Sequence, residues 1–209
     1  MNQDHISYVI DCLKANGVQF DAGLTTVEVQ QIEQTFSFCF PPDLRAFLQA
    51  ALPTSKEFVP WRRGIRSMGI ARKIIKRIHQ PKNELLFDVR EGTFWRPEWG
   101  SRPSDKEQRE EIARQHLSGC PQLIPIYGHR YLPELPHEAG NPVFSVRGYD
   151  TIYYGYDLLT YFAHEFNLRY PLDSQPTKKP KHIEFWGDFD EPKDITTWGY
   201  WDGTEAEDY

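Results

Sequence analysis

The sequence predicts an α+β fold for this chain of 209 residues. The expected architecture is one antiparallel sheet of about five or six strands, with helices packed mainly on one side. Three observations predict it. Amphipathic helical stripes fill the first part of the chain. Strand-like runs follow in close succession through short connections, as antiparallel neighbours allow. No long crossover helices alternate with those strands, which removes the doubly wound folds.

Ile6, Val9, Ile10 and Leu13 form one apolar stripe over Asp4–Ala15, and Gly17 supplies a stop. A short N-terminal helix over residues 1–20, lying on the body, is expected. Thr25-x-x-Glu28 is a capping-box pattern at the start of a second helix, with Val29, Ile32 and Phe36 on one face. Pro41-Pro42-Asp43 opens a third, because proline is tolerated in a first turn and an acid there suits the helix dipole. Its stripe is Leu44, Phe47, Leu48 and Ala51, and Pro53 ends it. A further helix is expected from Arg63 to His79, closed by Pro81. Met68, Ala71, Ile74, Ile75 and Ile78 form its inner face. Seven basic residues and no acid lie between Arg62 and Arg77.

Glu84–Arg90 reads as a strand. Trp95 and Trp99 follow in a loop rich in proline and glycine, where indoles either pin the loop or present a contact surface. Ser104-x-x-Glu107 is a second capping-box pattern, opening a charged surface helix to Leu117. Strands are expected at Leu123–Tyr127, His129–Leu132, Val143–Val146 and Thr151–Tyr156, the last two joined as a hairpin by residues 147–150. Asp157 caps a helix bearing Leu158, Tyr161, Phe162 and Phe166. A last strand is expected at Ile183–Trp186. The domain reading is a body over residues 21–190 and an acidic tail over 191–209.

Composition excludes several classes. With 39% hydrophobic and 26% charged residues the chain is globular rather than disordered. Cys12, Cys39 and Cys120 are odd in number and widely spaced, so neither a disulfide framework nor a zinc site is indicated. The first residues lack a basic region before an apolar run, and no apolar run has the length of a membrane span. A cytoplasmic protein with no membrane partner is expected. Net charge is −6, with nine acids and one lysine from Glu184 to Tyr209 leaving +2 on residues 1–183. That distribution argues against nucleic acid as a partner, and the basic run Arg62–Arg77 reads as a solvated helix face.

Catalytic motifs are missing. The chain has no GxGxxG, GxxxxGK[ST] or GxSxG, and His164-Glu165 lacks the second histidine of HExxH. No cofactor and no metal are expected. One acid–base constellation is conceivable: His129, His137 and Asp150, close in sequence, as the working groups of a small hydrolase.

The stretch from Pro125 to Phe166 carries a resemblance. His129-Arg130-Tyr131-Leu132-Pro133, then Gly140-Asn141-Pro142-Val143-Phe144-Ser145-Val146, then Asp150 to Gly155 and the helix to Glu165-Phe166, resemble the SUKH superfamily. That group includes the fungal Smi/Knr-type regulator of cell-wall synthesis. Ile32-Glu33 leading to Phe40–Leu48, and Leu86–Val89 followed by Phe94-Trp95 and Trp99-Gly100, are similar to two earlier segments of the family. Where many members have a loop with an asparagine and glycines, this chain has Gln49-Ala50-Ala51-Leu52-Pro53. The resemblance implies an α+β binding module with no catalytic residues. In bacteria it implies an immunity protein that binds and neutralises a polymorphic toxin, many such toxins being nucleases; a regulatory scaffold is the other expectation. Trp95, Trp99, His129, Arg130 and Tyr131 are the candidate contacts, since aromatics and arginine anchor interfaces.

Overall fold

The computed structural model describes residues 1–171, 176–177 and 179–193. Most of the acidic tail, from residue 194 onward, lies outside the described residues. The first helix, α1 (Gln3–Ala15), is capped by the Asn2 side chain, which accepts from the His5 amide at 2.8 Å. Its stripe Ile6, Val9, Ile10 and Leu13 is buried. Strand β1 (Phe20–Ala22) follows, then α2 (Thr26–Phe36) with the full Thr25/Glu28 capping box. Helix α3 (Pro42–Ala50) opens on Pro41-Pro42. It ends before Ala51, because residues 51–53 form β2 (Ala51–Pro53), paired antiparallel with β1. These three-residue strands are too short for alternation to reveal them.

The largest correction concerns residues 63–91. Arg63–His79 is not one helix, and Glu84–Arg90 is not a strand. A single turn, α4 (Trp61–Gly64), precedes α5 (Met68–Glu91), a helix of 24 residues that runs through Pro81. A proline inside a helix leaves the carbonyl four residues earlier without its amide. Here that carbonyl belongs to Arg77, and it accepts from the Tyr131 hydroxyl at 3.3 Å. The buried stripe continues across the proline as Ile74, Ile78, Pro81, Leu85, Leu86 and Val89. Met68 and Ile75, expected inside, are 75% and 39% exposed.

Helix α6 (Lys106–Ser118) is capped by Asp105 rather than Ser104, with the carboxylate accepting from the Gln108 amide at 2.8 Å. Its Arg109 guanidinium donates to the Val89 and Arg90 carbonyls, closing the end of α5. Strands β3 (Leu123–Tyr127), β4 (Arg130–Pro133), β5 (Val143–Arg147) and β6 (Asp150–Gly155) form an antiparallel meander in chain order. Helix α7 (Leu158–Phe166), capped by Asp157 and Thr160, follows. The structure is thus α+β, but the six strands among the described residues divide into sheets of two and four, not one of five or six.

Helices cover both faces of the larger sheet. Ile124, Ile126, Leu132 and Val143 join α1, α2, α3 and α7 in one core. Leu123, Tyr131, Phe144, Val146 and Tyr153 join α5 and α6 in a second. The alternation along each strand is the period of two that places neighbouring side chains on opposite faces. Residues 183–189 complete the second core. They are not a strand: Phe185 has φ +68°, and a 3₁₀ turn runs from Trp186 to Asp188. Ile183 and Trp186 are buried there, and the Trp186 indole donates to the Pro121 carbonyl at 2.8 Å.

Candidate binding groove

Helix α5 does more than cover the sheet. Its Glu84 and Asp88, one turn apart, reach the tip of the β5–β6 hairpin. Glu84 accepts from the Gly148 amide at 3.2 Å, and Asp88 from the Tyr149 amide at 3.0 Å. Gly148 has φ +58°, and a Cβ there would stand 2.0 Å from the Asp88 carboxylate. Glycine is therefore required twice, by conformation and by close approach. The lock fixes the hairpin against the helix and leaves an open groove of about 1020 Å³ between them.

One wall of the groove is the α5 face bearing Lys76, Gln80, Asn83 and Phe87, and the other holds Gly128, His129 and Arg147. Arg77 lies at the inner end, where its guanidinium donates to the Gly128 carbonyl at 2.6 Å and to the Glu57 carbonyl at 3.2 Å. Burial lowers its pKa. Phe87 is 62% exposed, and Tyr149, at the hairpin tip, is 49% exposed.

The five expected contact residues are separated by this arrangement. His129 lines the groove. Its pKa is lowered, first by burial and then by the charges of Arg130 and Arg147. Arg130 turns inward. Its Nε donates to Glu165 at 2.8 Å, its Nη1 donates to the Ser145 hydroxyl at 2.8 Å and lies against His129 Nε2, and its guanidinium stacks 3.5 Å from the Tyr154 ring centre. His164 stacks in turn with Tyr154, with ring centres 4.4 Å apart. Tyr131 is 1% exposed and does not reach a partner; its hydroxyl serves Arg77, and burial raises its pKa to about 12.

Trp95 and Trp99 fasten their loop instead of standing out from it. The Trp95 indole donates to the Gly100 carbonyl at 2.9 Å, the two indoles meet edge to face, and Trp99 stacks on His116 of α6. Both are half-buried against the second core. The surface residues missed in the sequence are Phe87, Arg147 and Tyr149. Phe87 was hidden by reading residues 84–90 as a strand; as part of a helix, its place opposite the buried stripe marks it as exposed.

His137 stands apart from His129 and Asp150. Val146 bonds the His129 carbonyl at the Arg147 end of the sheet, whereas His137 follows Pro133 at the opposite end of β4. Asp150 pairs with Arg147 on β6, and β5 separates that strand from β4. Burial raises the Cys120 thiol to about 11, well above the range of a nucleophilic thiolate. Among the described residues no His, Cys, Asp and Glu side chains gather as a metal-binding group, and no helix is long and apolar enough to cross a membrane. No protein-family model, no curated protein and no solved structure matches the chain.

Proposed function

We propose that the chain is a non-enzymatic binding module of SUKH type, an immunity protein that binds and neutralises a cognate toxin in the cytoplasm. One observation carries the reading: the cavity between α5 and the hairpin, about 1020 Å³, is a broad open groove with an exposed Phe87 rather than a deep pocket with converging acid and base. An open groove with an aromatic on one wall suits a macromolecular surface better than a small substrate, which is held in an enclosing cleft. The placement of His137 at the far end of β4 from His129 supports a binding reading over a hydrolase using His129, His137 and Asp150 together. Polymorphic toxins, nucleases among them, are the partner class that the SUKH resemblance supplies.

The test is co-purification of the tagged chain from its native host at moderate salt, with mass spectrometry of the bound protein. The expected result is a stoichiometric polypeptide that arrests growth when expressed alone and is silenced by co-expression of this chain. Phe87→Asp abolishes both capture and rescue. Rescue that persists without a complex, or turnover of a small substrate by the purified chain, overturns the reading.

A further inference from the structure

The charges in the groove are unequally engaged. Glu84 accepts from Gly148 and from Gln80, and Asp88 accepts from Tyr149, so both carboxylates are already occupied. Arg77 donates to the Glu57 and Gly128 carbonyls and also interacts with the Tyr131 hydroxyl. Lys76 and Arg147 form no ion pair among the described residues, and neither do Arg72 and Lys73 on the adjoining turn of α5. Glu57 is the one lining carboxylate without a hydrogen bond among the described residues. The groove therefore presents Lys76 and Arg147 without an ion-pair partner among the described residues, next to an exposed aromatic ring.

Building on the protein-binding reading, we propose that this groove takes an acidic polypeptide segment of the partner, with an apolar side chain seated against Phe87. Lys76, Gln80, Asn83 and Phe87 follow one another at i, i+4, i+7 and i+11 on one helix face. That stripe is about 16 Å long, the span of about five extended residues. Carboxylates of the segment face Lys76 and Arg147, and its uncharged positions face Glu57. A polynucleotide fits less well. Its charge repeats at every nucleotide, so it offers no uncharged position to Glu57, whereas a peptide can alternate charged and uncharged side chains.

The test uses the full chain and a labelled ten-residue peptide of alternating Glu and Tyr, read by fluorescence anisotropy at 50 mM salt. Saturable binding is expected, weakened at least tenfold by Lys76→Glu with Arg147→Glu, and also by Phe87→Ser. All three side chains line an open groove, so circular dichroism and melting of the variants should match the parent. Lys14→Glu, on α1 away from the groove, leaves binding unchanged. A ten-residue peptide of alternating Lys and Tyr does not bind. Three results overturn the proposal: no saturable binding of the Glu–Tyr peptide, binding indifferent to the double charge reversal, or equal binding of a ten-nucleotide oligothymidylate. If the peptide fails while capture of the toxin still depends on Phe87, the charge assignment falls and the protein-binding reading stands.

Discussion

Substituting Gly148 by alanine tests the lock between α5 and the hairpin. Two costs arise, and they are separable. Holding a residue with a Cβ at φ +58° costs roughly 1–2 kcal/mol. The new methyl group also claims the position of an Asp88 oxygen, 2.0 Å away, so the carboxylate must leave the Tyr149 amide. That hydrogen bond is partly exposed, and its loss costs about 1 kcal/mol. Gly148→Ala is therefore expected to destabilise by about 2–3 kcal/mol. In an Asp88→Ala background the carboxylate is already gone, and the same substitution costs only the backbone term, about 1–2 kcal/mol. Urea unfolding followed by tryptophan fluorescence gives the four stabilities of the cycle, provided the slopes agree. The expected coupling is about 1 kcal/mol. A Gly148→Ala cost that is the same with and without Asp88 refutes the lock, and a cost under about 0.5 kcal/mol refutes the backbone argument as well.

Three further expectations follow from the same geometry. Arg130→Lys keeps the charge but loses the stack on Tyr154 and the fork that serves Glu165 and Ser145 together, so a loss of about 2 kcal/mol is expected. A melting temperature equal to that of the parent counts against the stack. Tyr131→Phe leaves the Arg77 carbonyl beside Pro81 without a partner and costs about 1 kcal/mol, with partner capture unchanged; capture lost at unchanged stability shows Tyr131 to be a contact after all. The hydrogen bond from Arg62 is the main force holding the Glu28 carboxyl at about 2, against a usual 4.5. The folded value is the lower one, so the stabilisation is full above pH 4.5 and disappears as pH falls toward 2, about 1–2 kcal/mol after screening by water. Glu28→Gln should flatten that part of the acid unfolding profile, and an unchanged profile contradicts the assignment.

The parts of the fold that were legible in the sequence are those with local signals. Thr25 and Glu28, Pro41-Pro42, and Asp157 each mark a helix start by satisfying or removing an orphan amide within a few residues. Three of the four strands of the meander read as short, largely apolar runs, because both sheet faces are buried in different cores. Misreading began at Pro81. Proline reads locally as a stop, yet its cost is met by a tyrosine fifty residues away in the chain, which no local pattern reveals. The stripe Ile74, Ile78, Pro81, Leu85 and Val89 kept its helical period and was the signal available. Once residues 84–90 became a strand, Glu84, Phe87 and Asp88 lost their common helix and the groove vanished with it. Trp95, Trp99, Arg130 and Tyr131 were chosen by residue type. Type does not tell whether a large side chain points outward or closes a core, and here all four are held by neighbours.

Residues 183–189 carry a consequence for the order of assembly. The sheet face beneath them is built from residues 123–153 and flanked by α5 and α6, all made earlier on the ribosome. Until Ile183, Phe185 and Trp186 emerge, Phe144 and Tyr153 belong to a surface open to water. A chain cut before Ile183 retains every residue of the groove but leaves that apolar face bare. Such a fragment is a sticky species, prone to self-association while still carrying the recognition surface. The late segment thus acts as a seal, making cover of this apolar face conditional on synthesis reaching Trp186.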